Sequence, residues 1–421
     1  MLKGNAGERQ QAETGLQQIL RKGDPKMLRS VLEESLQREP QRNELHLFLG
    51  DLHLREGRYE DALKSYERGD QEDPLYSLAR RAEEEGRYEI ALRSYETLAE
   101  RGKPIALYRK GVTLRKMGKE EEAIVSFQSL IEKYPNQEER LVGLYSLGMI
   151  YLENHQDPEK AISYFEEFLA QKPKVGEEVL EAKFGIVECH LMKGDFKKAE
   201  KGLLDLRETP SGDRALFCLG ELYFFQEDFE TASEKFNQVV ERYPKSRFEN
   251  DALRKILLIA DYREVEGLKS LASVELMGRQ GRFREGIDEL KRVLNLEGGV
   301  NHRGVHTSPE PHVVQGGMSQ MAQSAIGKKG LMDDALLLMG DLYEGMGDYP
   351  SAIRSYEDLV ERNKESPLAS EALRRAGEVF FRRLGDRKRA VETFERVLLE
   401  YPNSVQTDLI RKRVEELREE L

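Results

Sequence analysis

Apolar residues in this chain recur three and four positions apart over stretches of about a dozen residues, and short breaks carrying glycine or proline separate the stretches. That spacing predicts a series of short helices, each with one apolar stripe. The last stretch is the plainest: Ile410, Val414, Leu417 and Leu421 stand at i, i+4, i+7 and i+11 among mostly charged residues. One face packs and the other is wet, as a capping helix over 405–421 requires, and Asp408 is placed to cap its start. At the other end, Leu16, Ile19 and Leu20 precede a Gly23-Asp24-Pro25 break, and Met27, Leu28, Val31 and Leu32 follow it. This is a degenerate helix pair that caps the chain over 1–42.

Between the caps the pattern repeats. From Asn43 the chain shows Leu49-Gly50, Gly57-Arg58-Tyr59, Ala62, Tyr66 and Pro74, which are offsets 7, 8, 15 to 17, 20, 24 and 32 of a 34-residue unit. The same template fits from Pro104 (Lys110-Gly111, Leu114, Gly118, Ala123, Phe127, Pro135) and from Asp213 (Leu219-Gly220, Tyr223, Ala232, Phe236, Pro244). Further copies lie near Gln71, Leu141, Glu181, Asp333 and Ser370, and a weaker one surrounds Gly281-Arg282-Phe283, where Gly286 replaces the usual alanine. Each position has a mechanical reason. Small residues at offsets 8 and 20 let two antiparallel helices approach closely, and larger residues at offsets 11 and 24, such as Tyr223 and Phe236, are expected to fill the space between units. The glycine at offset 15 adopts a positive φ and ends the first helix. The proline at offset 32 ends the second, because its ring and missing N–H cannot continue it.

Spacing and residue types together resemble the tetratricopeptide repeat (TPR). The resemblance implies an all-α, TPR-type helix-turn-helix superhelical solenoid with capping helices, about nine units long, whose first helices line a concave face. The expected organisation is N-terminal caps over 1–42, a first array over 43–297, a Gly-rich flexible insertion over 298–330, a second array over 331–404 and the C-terminal cap. The insertion is set apart by composition, since 7 of its 33 positions are Gly. The unit ends Glu-Lys-Tyr-Pro-Asn at 132–136, Glu-Arg-Tyr-Pro-Lys-Ser at 241–246 and Glu-Tyr-Pro-Asn-Ser at 400–404 are similar to those of bacterial cell-envelope TPR proteins. No lipobox cysteine stands near Met1.

In TPR arrays, offsets 2, 5, 9, 12 and 13 face the groove. Carried onto this sequence, they give a central partner-binding cluster of Tyr108, Val112, Arg115, Lys116, Tyr145, Met149, Leu152, Phe217, Glu221, Phe224 and Phe225, with Arg109 added at its side to contact acidic residues of the partner. Of the two adjacent aromatics, one is expected to stay outside the core. The surface is apolar and aromatic centrally, which suits a partner helix or extended segment. Toward the ends it becomes charged, with Asp51 and Arg55 on one side and Arg374, Glu378 and Arg382 on the other. TPRs that clamp a C-terminal carboxylate use Asn at offset 9, whereas this chain has Asp51, Val112, Met149, Glu221, Asp341 and Glu378 there.

Composition narrows the function. Lys+Arg total 66 against 78 Asp+Glu, a net charge of −12, which argues against nucleic acid as the main ligand. No apolar run is long enough to span a membrane, and the N-terminus lacks the apolar core of a secretory signal. As written the chain reads as cytoplasmic, or as periplasmic or envelope-associated if a signal peptide has been removed. GxSxG, HExxH, GxxxxGK[ST] and GxGxxG are absent, so no enzyme activity and no cofactor are predicted. His302, His306, His312 and Glu310 have no ordered metal-site spacing, and no metal is assigned to them. Cys189 and Cys218 read as small buried residues, with a single disulfide as the alternative. The function expected is a non-catalytic scaffold for another protein or peptide segment. The alternatives are an accessory subunit that binds a ligand through the insertion, and a self-assembling homo-oligomer.

Overall fold

The computed structural model describes residues 25–174, 176–262, 266–297 and 320–419. Those residues form 21 α-helices and no strand. They divide into two compact units, Met1–Ala182 and Lys183–Leu421.

In the first unit, α1 (Pro25–Arg38) is followed by four antiparallel pairs: α2 (Asn43–Arg55) with α3 (Tyr59–Arg68), α4 (Glu72–Glu84) with α5 (Tyr88–Glu100), α6 (Pro104–Lys116) with α7 (Glu120–Lys133), and α8 (Glu139–Glu153) with α9 (Pro158–Ala170). The unit boundary falls inside α10 (Glu177–Met192), which precedes α11 (Phe196–Leu206). The second unit continues with α12 (Gly212–Phe225) and α13 (Phe229–Arg242), then α14 (Glu249–Tyr262). Three more pairs follow: α15 (Glu266–Arg279) with α16 (Phe283–Glu297), α17 (Gln320–Gly345) with α18 (Tyr349–Arg362), and α19 (Ala369–Arg382) with α20 (Arg387–Glu400). The single helix α21 (Thr407–Glu419) packs on α20. The fold is the all-α TPR-type solenoid that the repeats imply.

The aromatic at offset 24 serves its own helix pair and not, as expected, the space between units. In each of six pairs an aromatic ring of the second helix lies against the glycine at offset 8 of the first: Tyr66 on Gly50, Phe127 on Gly111, Phe165 on Gly148, Phe236 on Gly220, Tyr356 on Gly340 and Phe394 on Gly377. The turns between paired helices use a left-handed residue, as at Gly57 (φ 74°) and Gly118 (φ 73°). At four of these turns an Asp carboxylate caps the second helix, at Asp157, Asp228, Asp348 and Asp386, whereas Asp195 makes no such bond. Asp228 accepts from Thr231 N–H at 3.1 Å and Asp386 from Arg389 N–H at 2.9 Å.

At the caps, Ile410, Val414 and Leu417 are buried against the last pair, while Leu421 lies outside the described residues. In α1, Leu32 is buried and Leu28 packs beside it on α2, but Met27 and Val31 point to solvent. Leu16, Ile19 and Leu20 of the expected cap lie outside the described residues. The metal candidates His302, Glu310, His306 and His312 lie outside the described residues, as does the 298–319 part of the Gly-rich segment. Residues 320–330 of that segment belong to α17.

One helix breaks the rhythm. After the α12–α13 pair, α14 packs on α13, and it is α15 that touches α12, so two successive helices share the place a single first helix takes elsewhere. Both also touch α17. Between α12, α14, α15 and α17 they leave a cavity of about 490 Å³.

Candidate functional site

The predicted partner-binding residues fall in both units. In the first, α6 and α8 pack side by side. They carry Tyr108, Arg109, Val112, Arg115, Tyr145, Met149 and Leu152, all half-buried, while Lys116 is exposed. The apolar members are held from behind by completed cores. The Tyr108 ring sits 6.1 Å from that of Phe127, and Tyr145 is flanked by Phe165 at 6.3 Å and Phe168 at 5.8 Å. Neither tyrosine hydroxyl has a hydrogen-bond partner among the described residues. Burial raises the Tyr145 pKa, and Glu181, Glu178, Glu153 and Glu177 raise it further, so the phenol stays protonated as a donor.

The basic residues of this face are partly committed. Lys116 Nζ lies 2.5 Å from Glu83, a buried carboxylate of α4 that also accepts from the Tyr95 hydroxyl at 3.0 Å. Arg115 stands 3.6 Å from Glu153. Arg109 is hydrogen-bonded to Tyr76, and only its buried Nε is left without a partner.

The second unit departs from expectation. Phe217 is half-buried and stacks on Phe248 at 5.3 Å, but Glu221, Phe224 and Phe225 are all buried. Neither adjacent aromatic stays exposed. The irregular helices supply the reason: Lys255 of α14 covers the Phe224 ring at 4.3 Å, and Arg279 of α15 covers the Phe225 ring at 5.3 Å. Those same cations neutralise carboxylates. Lys255 Nζ donates to both oxygens of Glu275 at 2.7 and 2.5 Å, and Arg279 donates to Glu188 and to Glu221, each at 2.7 Å. Burial opposes the Arg279 charge, yet Glu221 and Glu188 hold its pKa above the ordinary guanidinium value. Glu221 therefore serves as a buried ion-pair partner.

The outer charged positions are likewise engaged. Asp51 accepts from the Tyr66 hydroxyl at 2.6 Å and Asp341 from that of Tyr356 at 2.8 Å, a repeated device that lets a first-helix carboxylate sit beside the aromatic of its own pair. Arg382 lies 2.5 Å from Glu378. Neither Cys189 nor Cys218 forms a disulfide, so the disulfide alternative fails. Among the described residues no group of three or more His, Cys, Asp or Glu is arranged to hold a metal. None of their helices is long and apolar enough to cross a membrane.

Lys255, Glu275, Arg279 and Asp334 are not among the predicted site residues. Lys255 lies on a helix with no repeat signature, and Glu275 and Arg279 on one with a weak signature. Asp334 stands at offset 2 of the copy from Asp333, so the template itself could have placed it toward the groove.

A tetratricopeptide repeat family model matches residues 4–77 and 337–405, and an outer membrane lipoprotein family model matches residues 100–262. No curated protein matches the chain. Among solved structures, it is similar to YrrB, a TPR protein with an unusual peptide-binding site, at 19% identity over 47% of this chain and 97% of that one, with a TM-score of 0.36. A tetratricopeptide repeat protein from Parabacteroides merdae ATCC 43184 matches at 16% identity over 75% of this chain and 98% of that one, TM-score 0.33. Naa15/Naa10 bound to HypK-THB matches at 14% identity over 95% of this chain and 59% of that one, TM-score 0.39.

Proposed function

We propose that the chain is a tetratricopeptide-repeat interaction scaffold that binds a segment of another protein on the face formed by α6 and α8, without catalysis, a reading that the family match at both ends of the chain supports. The observation that carries this reading is the state of Tyr108, Val112, Tyr145, Met149 and Leu152. They stay half-exposed although the cores behind them are complete. Two tyrosines with free hydroxyls and rings fixed from behind are suited to anchor a partner, because little rotamer freedom remains to be lost on binding. The bordering Arg109 and Arg115 meet acidic residues of the segment. A place in a bacterial envelope assembly accords with the lipoprotein-family match over 100–262.

The test is affinity capture from the native organism, followed by mass spectrometry, with the wild-type chain and a Tyr108→Ala/Tyr145→Ala variant. A partner retained by the first and lost by the folded second supports the reading. Capture that survives the double change moves the interface elsewhere. Light scattering that rises with protein concentration and is abolished by the same variant would identify a second copy of the chain as the occupant.

A further inference from the structure

The cavity between α12, α14, α15 and α17 holds an odd carboxylate. Of the acidic groups around it, Glu275 is paired with Lys255 and Glu221 with Arg279, while Asp341 accepts from Tyr356 and is paired with Arg375. Asp334, from α17, also lines the cavity, half-buried, and makes no hydrogen bond or ion pair with any described residue. Arg254 and Asp251, on α14, stand exposed at the rim, and neither has a partner within ion-pair distance among the described residues. A carboxylate drawn partly out of water into a cavity without a partner is costly. With Lys255 and Arg279 already committed, the carboxylates Glu221, Glu275 and Asp334 exceed those two cations by one. The remaining wall is apolar, built from Leu258, Leu271, Phe283, Leu337, Leu338 and Leu342.

We propose that this cavity is a binding site for a primary ammonium group on an alkyl chain, with Asp334 as its counter-ion and the leucine-rich wall receiving the chain. The site is independent of the α6–α8 face, so it stands or falls separately. Its size lies in the range of small-ligand pockets, roughly 300–1,000 Å³, and is larger than a bare ion needs. A carboxylate ligand does not suit the site, because it would add to the excess of negative charge. The ammonium has two sources, a lysine side chain of a partner and a free polyamine.

The acid's own titration agrees with this assignment. Burial pushes the Asp334 pKa up to about 7, against the pull of Arg254 and Lys255 from α14, while Glu275 of α15 and the adjacent Asp333 raise it further. Asp333 itself is occupied, accepting from Asn363 at 2.6 Å. A cation favours the ionised form, so binding strengthens as pH rises through this range and releases a proton below it. For a pKa near 7 the affinity is expected to be about tenfold higher at pH 8 than at pH 6.

Isothermal titration calorimetry on the full chain tests the site, with spermidine and the blocked peptide acetyl-Ala-Ala-Lys-Ala-Ala-amide as probes, and the same peptide with Glu in place of Lys as control. Heat with the Lys peptide supports a partner's side chain as the source, and heat with spermidine supports a free polyamine. Asp334→Asn, nearly isosteric and checked for folding by circular dichroism, should weaken the responding probe at least about tenfold, the usual scale for a lost charge-assisted contact. Arg254→Ala removes a competing cation from the rim and should tighten binding, an effect of opposite sign that loss of structure would not produce. No heat with either cationic probe, unchanged affinity in Asp334→Asn, tighter binding of the Glu control, or weaker binding in Arg254→Ala would overturn the proposal.

Discussion

A β-carbon placed on Gly220 would come to 2.5 Å from Cε1 of Phe236, closer than any side chain tolerates without movement. The contact is between rigid partners, a helix backbone and a fully buried ring. Gly220→Ala should therefore cost about 1–3 kcal/mol despite the better helix propensity of alanine. Ala232→Leu, on the facing helix and likewise fully buried, should cost a similar amount. Urea unfolding followed by circular dichroism checks both. A midpoint unchanged in either variant would show that these two helices do not meet as described.

The turn of the same pair predicts a stabilising change. Glu227 occupies the left-handed region at φ 62°, the position that Gly57 and Gly118 hold in other units. For a residue with a β-carbon this conformation costs roughly 1–2 kcal/mol. Its ion pair with Lys269, at 3.0 Å between two exposed side chains, returns little of that. Glu227→Gly should raise stability by about 0.5–1 kcal/mol, the remainder being offset by the freedom glycine gains when unfolded. A lower melting temperature for this variant would contradict the argument.

Such local devices explain why so much of the fold was legible beforehand. The Gly50–Tyr66, Gly111–Phe127 and Gly220–Phe236 contacts lie within single units at a fixed spacing, so residue type and offset suffice to find them. The half-buried placement of Tyr108 and Tyr145 on the first helices of their pairs was legible for the same reason. Phe224 and Phe225 were misread because their environment is set by Lys255 and Arg279, which come from helices the repeat template does not describe. Arg279 meets Glu188 across 91 positions of sequence, and no periodicity announces a contact of that separation.

The cavity carboxylate gives a pH dependence with a definite sign. Asp334 titrates near 7 in the folded chain, against 3.8 for an ordinary aspartate. The folded state therefore holds a proton that the unfolded chain has released, and the stability this confers is complete below about pH 4 and lost as pH rises toward 7. Asp334→Asn should remove that component, so that the variant gains on the wild type as pH rises from 5 to 8. Thermal melts at half-unit intervals check it. Parallel curves for the two proteins would mean that Asp334 ionises freely.

The thiols offer a second chemical test. Burial pushes Cys218 up to about 12, and Glu221 adds to the shift, so almost no thiolate exists at neutral pH. Cys189 is buried, whereas Cys218, expected to be buried, is half-buried. Neither should react with an aromatic disulfide reagent in the native chain on the timescale of minutes, and two equivalents should react at once in urea. Rapid native labelling of Cys218 would show that α12 opens readily.

The two sets of aromatics should behave differently when truncated, and the difference separates binding from folding. Phe224 is fully buried, with Phe225, Phe229 and Lys255 around its ring. Phe224→Ala should destabilise the second unit by about 3–5 kcal/mol, the usual cost of emptying a core phenylalanine site. Any loss of partner capture in that variant would then follow unfolding. Tyr145 is only half-buried, so Tyr145→Ala should leave circular dichroism and urea midpoint close to wild type while lowering partner affinity by about 2 kcal/mol or more. Arg115→Ala should weaken capture chiefly at low salt, since an exposed charge is screened over about 10 Å at 0.1 M. If Tyr145→Ala instead unfolds the first unit, its ring belongs to the core, and the partner face shrinks to Tyr108, Val112, Met149 and Leu152.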